Sequence, residues 1–67
     1  MNRDMNWISV KDRLPEDRKY VLVWESDWMT WDSAFFESGS FKRSEDYTTI
    51  KDVTHWAIVE PPQEFKQ

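Results

Sequence analysis

The sequence predicts a mainly β domain: a small antiparallel sheet of about four or five strands, with one short helical turn as the only α alternative. Three observations predict it. Apolar residues cluster in short runs rich in Val, Ile, Thr, Trp and Phe, the residues that favour a pleated surface. Polar, Pro- or Gly-containing segments separate those runs. No stretch of ten residues repeats its apolar positions with the 3.6-residue period of a helix.

Residues 1–5 are polar and are expected to be loose. Trp7-Ile8-Ser9-Val10 is the first short strand candidate. Lys11 to Arg18 is charged and broken by Pro15, which pushes Leu14 away from helical backbone angles. It reads as a loop, with Ser9 or Asp12 able to start one helical turn. Lys19-Tyr20-Val21-Leu22-Val23-Trp24 is the clearest strand. Apolar on both faces, it is expected at the centre of the sheet and covered on both sides.

Glu25-Ser26-Asp27 interrupts the hydrophobicity, and Trp28 to Phe36 resumes it as a second long strand. Three intervening residues fit a hairpin with a bulged turn, with Asp27 in the left-handed conformation. Glu37-Ser38-Gly39-Ser40 holds the single Gly of the chain and reads as the next turn, with Ser40 to Arg43 as a third arm. Ser44 to Asp52 is polar and reads as a long mobile loop. Val53 to Val59 is the last strand, ended by Pro61-Pro62, which cannot donate to a ladder. Phe65 is one anchor for the polar tail.

The chain of 67 residues has room for one domain, 1–67, with an ordered core expected over about 6–62. Chains this small need disulfides, a metal, an oligomer interface or dense aromatic packing. There is no Cys and one His, which removes disulfides and leaves a zinc site short of ligands. Aromatic packing remains, supplied by five Trp, four Phe and two Tyr. Trp7 and Trp56 are expected to share one core. Neither a metal nor a cofactor is expected. The mean hydropathy of −0.86 argues against a membrane partner. No apolar run follows the first charges, so no signal peptide is expected, and without Cys the default compartment is the cytoplasm.

Charge is unevenly spread. Residues 1–23 sum to +1, residues 24–46 to −4 and residues 47–67 to −1, giving a net −4. The acidity lies on the central hairpin and the segment after it, which disfavours nucleic acid as a partner and suits a basic one. Ordinary solubilising charge is the simpler explanation of the same pattern. The carboxylate pairs Glu16/Asp17, Glu25/Asp27 and Glu45/Asp46 fall in expected loops, where water levels the pKa differences that acid–base catalysis requires. One Gly cannot build a phosphate-binding loop. His55 lies within a strand and reads as a half-buried ring bonded to a neighbouring backbone group or carboxylate.

Read in order, Trp7-Ile8-Ser9-Val10 leading to Leu14-Pro15, then Tyr20-Val21-Leu22-Val23, Ala34-Phe35-Phe36, Asp52-Val53-Thr54-His55-Trp56 and Pro61-Pro62 form one pattern. It resembles a family of small phage and prophage proteins classed as domain of unknown function 551. The resemblance spans roughly residues 7–62. It implies a phage or prophage origin and a bacterial cytoplasm, and it implies no reaction. Where relatives carry Met-Pro-Leu-Pro after the last Trp, this chain has Ala57-Ile58-Val59-Glu60. Its hairpin also lacks the usual Gly and carries Trp24, Trp28 and Trp31 instead.

These readings point to a non-enzymatic interaction module that binds a host or phage protein. Trp24, Trp28 and Trp31 would be anchors and Glu25, Asp27 and Asp32 an acidic rim, since Trp is enriched at interface hot spots. Inhibition of the bound protein and homo-oligomer formation both fit such a surface. Two alternatives stand beside it. One is an acidic mimic of nucleic acid. The other is a small nucleic-acid binder using Lys11, Arg13, Arg18 and Lys19 with a stacking aromatic.

Overall fold

The computed structural model describes residues 6–59. The expectations for residues 1–5, for Pro61-Pro62 and for Phe65 lie outside the described residues. Six strands occur in chain order: β1 (Ile8–Ser9), β2 (Tyr20–Glu25), β3 (Thr30–Glu37), β4 (Ser40–Arg43), β5 (Thr49–Ile50) and β6 (Val53–Ile58). They form one antiparallel sheet in the order β1-β6-β2-β3-β4-β5. No helix occurs among the described residues, and therefore none that is long and apolar enough to cross a membrane. The count exceeds the expected four or five because β5, two residues long, lies within the polar segment from Ser44 to Asp52 and leaves no strand pattern in the sequence.

β2 is central, as its composition predicts, but its side chains are fully buried on one face only: on the other, Leu22 and Trp24 are half-buried, although Ala57 beside Leu22 is buried. Val21 and Val23 are 1 % and 0 % exposed, whereas Tyr20 on the other face is 58 % exposed. The register places Val23 between Asp32 and Trp56, Val21 beside Ala34, and Phe36 beside Phe41, which in turn faces Ile50. Side chains alternate along strands, so these residues share one face. Val21, Val23, Ala34, Phe41, Ile50 and Trp56 form the core there, with Ile8, Val10, Phe36 and Val53 packed against it.

The segment between β1 and β2 folds towards that core face. Pro15 is buried. The Trp56 indole N–H donates to the Arg13 carbonyl at 2.9 Å, and the Arg13 guanidinium lies 5.4 Å from the Trp56 ring centre. The expected helical turn is a simple turn, in which the amides of Asp12 and Arg13 both donate to the Ser9 carbonyl. Trp7 does not share the Trp56 core. Ile8 pairs with Trp56, so alternation sends Trp7 to the opposite face, where it packs edge-on against Trp24 at 6.3 Å.

Two turns differ from expectation. β2 and β3 pair through Glu25 and Thr30, leaving a four-residue turn of Ser26, Asp27, Trp28 and Met29. Met29, not Asp27, takes the left-handed conformation (φ 51°), and Trp28 belongs to the turn rather than the strand. The segment from Ser44 to Asp52 is not a long mobile loop. Thr49–Ile50 pairs with β4, Ile50 is 6 % exposed, and the Arg43 amide closes the preceding turn on the Thr48 carbonyl at 2.8 Å. The β3–β4 turn is as expected: Ser38 and Gly39 both have positive φ, the geometry that two-residue hairpins require.

Candidate functional site

The β2–β3 hairpin builds the candidate site. Its register sets Trp24 opposite Trp31 on one face of the sheet and leaves Trp28 and Met29 in the turn. The turn is fixed from within by the Trp28 amide on the Glu25 carbonyl (3.2 Å) and the Met29 amide on the Ser26 carbonyl (3.3 Å). It is fixed from outside by Asp52. The Asp52 carboxylate accepts from the Asp27 amide at 2.8 Å, and its carbonyl accepts from the Ser26 amide at 3.1 Å. Ser26 Oγ also lies 2.9 Å from Thr54 Oγ1, beside a register shift in the β2–β6 ladder. On this anchored tip Trp28 and Met29 are each 76 % exposed and Trp31 is 60 % exposed.

The proposed anchors and rim therefore separate. Trp28 and Trp31 stand at the tip. Trp24 is half-buried and packs against Trp7. Asp27 is exposed in the turn. Glu25 is not a rim residue: it is 4 % exposed, on the covered face. Arg43 Nη1 lies 3.3 Å from Glu25 Oε2 and also binds the half-buried Asp32 carboxylate. Burial pulls the Arg43 pKa down, but the Asp32 hydrogen bond and the charges of Glu25, Asp32 and Asp46 outweigh it and hold the guanidinium more basic than usual. Asp46 is held below the usual carboxylate range by the Thr48 hydroxyl and amide, with Arg43 adding to the effect.

This cluster changes what the site can do chemically. Arg43 compensates Glu25 and Asp32, so the hairpin carboxylates do not form a free row that imitates phosphates. The basic segment is also partly committed: Arg13 lies over Trp56, and Arg18 pairs with Glu37 at 3.2 Å. His55 is exposed rather than half-buried, and its Nδ1 meets the Thr54 hydroxyl at 3.0 Å instead of a carboxylate. Among the described residues no three His, Asp or Glu converge as metal ligands.

The sequence left two features unread. Met29 falls within the second long strand that the sequence predicts, Trp28 to Phe36, so its exposure at the tip carries no signal there. The second face of the sheet holds an aromatic row in which Phe35 contacts Tyr20 at 5.4 Å and Tyr47 at 5.7 Å between ring centres. With Arg18, Glu37 and Lys42 these rings line a shallow concavity of about 490 Å³. The alternation Tyr20, Leu22, Trp24 carried that signal, but apolar residues on both faces of β2 read as a buried strand.

Fold and site together define a small single-sheet β domain with an anchored, aromatic hairpin tip. A family model described as a protein of unknown function (DUF551) matches residues 6–63, and the chain belongs to that family. No curated protein and no solved structure matches it significantly.

Proposed function

We propose that this chain is a non-enzymatic protein-interaction module, encoded by a phage or prophage, that acts on a host or phage protein in a bacterial cytoplasm. The observation that carries this reading is the tip itself. Trp28, Met29 and Trp31 expose large apolar side chains close together, on a turn tied down by Asp52. Grouped exposed apolar surface marks contact sites more than isolated apolar residues do. A turn already ordered loses little conformational freedom when covered, so more of the burial of two Trp rings appears as affinity.

Asp27 beside the tip favours a partner whose pocket is rimmed by Lys or Arg, through faster encounter and rejection of acidic surfaces. A tip that fills an apolar pocket also blocks it, which is the physical basis for an inhibitory role. The nucleic-acid mimic is less well supported because Arg43 compensates two of its carboxylates. The nucleic-acid binder is less well supported because Arg13 and Arg18 are engaged within the chain.

The test is affinity capture from bacterial lysate by the immobilised chain, compared with the Trp28→Ala/Trp31→Ala variant and quantified by mass spectrometry. A protein retained by the wild type and lost from the folded variant supports the reading. Identical capture profiles for the two proteins refute it.

A further inference from the structure

The second face of the sheet, which shares Trp31 with the hairpin tip, supports a further inference. Of the eleven aromatic residues in the chain, six gather there: Trp7, Tyr20, Trp24, Trp31, Phe35 and Tyr47. The covered face holds three, Phe36, Phe41 and Trp56. Tyr20, Trp31 and Tyr47 are 58 %, 60 % and 66 % exposed. The largest fully buried side chains are only Val21 and Val23. The sheet thus has one thin core and one aromatic face with no layer over it. Oligomerisation is a usual solution for so small a core.

Charge indicates what covers the face. The chain carries a net −4, yet the register directs Glu25 and Asp32 to the opposite side. Among the described strand residues the one carboxylate on the aromatic face is Glu37, paired with Arg18 at 3.2 Å, and Lys42 lies across from Phe35. This surface is close to neutral. An acidic ligand would find too few cations and a basic partner too few free carboxylates. A second copy fits, because it meets the first through the least acidic surface of each and leaves the acidic sides apart. Lys42 and Glu37 have opposite signs, so a two-fold arrangement can pair them reciprocally.

Area agrees with this. With ~150–250 Å² per ring, the six aromatics still expose on the order of 500 Å², and Leu22, Ser33 and the Lys42 stem extend this towards the ~800 Å² per partner of a standard interface. We propose that two copies of this chain pack face to face through the surface of Tyr20, Trp24, Trp31, Phe35 and Tyr47. The result is an isologous two-sheet sandwich with the sheets ~10 Å apart.

Sedimentation from low micromolar to millimolar concentration tests this on the full chain. The wild type is expected at twice the 8.2 kDa chain mass. The Tyr20→Lys/Tyr47→Lys variant is expected at the monomer mass with its strand circular dichroism retained, and Trp28→Ala is expected to remain dimeric. A wild type monomeric throughout, a dimer that survives Tyr20→Lys/Tyr47→Lys, or a dimer abolished by Trp28→Ala overturns the proposal. Should the double variant not fold, Ser33→Cys serves instead, since the chain has no other thiol. Its maleimide labelling slows with rising protein concentration if the face becomes covered. A rate independent of concentration overturns the proposal.

Discussion

Arg43 and Glu25 meet on the covered face of the sheet, Nη1 to Oε2 at 3.3 Å, with Glu25 only 4 % exposed. The strands carrying them, β4 and β2, are not neighbours. β3 lies between them and contributes Asp32, the second acceptor of the same guanidinium. One cation therefore ties three strands together behind the hairpin tip.

Arg43→Met is expected to destabilise the fold by about 2–4 kcal/mol, because removing one partner of a buried pair leaves the other as an uncompensated charge. Glu25→Gln should cost less, about 1–2 kcal/mol, since the guanidinium keeps Asp32 and its access to water. The double variant should cost less than the two single effects together. Chemical denaturation of the four proteins measures this. An Arg43→Met curve superimposed on the wild type would mean that water, not Arg43, compensates Glu25.

Trp56 and Trp7 should behave differently although each lies in a family-like motif. Trp56 is 2 % exposed, and its indole N–H is bonded to the Arg13 carbonyl. Trp56→Ala should cost about 3–5 kcal/mol, as for other buried aromatics, out of the ~5–15 kcal/mol of a native domain. Trp7 is half-buried against Trp24, so Trp7→Ala should cost about 1–2 kcal/mol. Equal losses from the two substitutions would contradict their placement on opposite faces.

The β3–β4 turn gives a backbone prediction free of packing. Gly39 has φ +83°, and a Cβ there would meet nothing within 4 Å. Gly39→Ala should therefore cost only the left-handed penalty, about 1–2 kcal/mol. Ser38 also has positive φ, at 54°, and Asn tolerates that conformation better than Ser. Ser38→Asn should stabilise the fold by about 0.5 kcal/mol. Thermal melts of both variants check the signs, and a neutral Gly39→Ala would show that the turn relaxes to another type.

Asp46 sets an acid-side dependence. Its carboxylate is more acidic when folded than in the unfolded chain. The unfolded value is ~3.9, so the Asp46 contribution is complete above that pH and is lost as pH falls through the lower folded value. Arg43 shifts the other way, and its contribution would fade only at strongly alkaline pH. Asp46→Asn should flatten the stability profile below about pH 4 and lower stability at neutral pH. An unchanged acid limb in the variant would remove Asp46 from the account.

Much of the fold was legible because its signals are local. The β-branched run of Tyr20 to Trp24, the Ser38-Gly39 turn and the Val53 to Ile58 strand each announce themselves in sequence. What escaped was set by register. Thr49–Ile50 becomes a strand only because Phe41 meets Ile50 across the sheet. Trp7, just before β1, and Trp56 reach opposite faces because the pairing partner of Trp56 is Ile8. Glu25 read as a loop carboxylate because its cation, Arg43, lies 18 residues away in sequence. The sequence places Trp28 in a strand because it ends the turn at Asp27, whereas the pairing of Glu25 with Thr30 carries the turn on to Met29.

Trp28 gives the sharpest separation between stability and binding. At 76 % exposure it has little buried surface to lose, and the turn's hydrogen bonds run through its amide and those of Asp27 and Met29, not through its ring. Trp28→Ala is therefore expected to change stability by less than about 1 kcal/mol, the ordinary range for a surface substitution. The same truncation should remove a hot-spot anchor, an effect of about 2 kcal/mol or more on an interface that it centres. Asp52→Ala is the complementary variant. It leaves the Trp28 ring in place but frees the Asp27 amide, so it should weaken binding by loosening the tip rather than by deleting contact area. Denaturation curves and titration of a captured partner, run on both variants, decide the matter. Loss of binding in Trp28→Ala with an unchanged denaturation midpoint is the expected result. A Trp28→Ala protein that unfolds assigns the ring to the fold, and one that binds with wild-type affinity assigns the contact elsewhere.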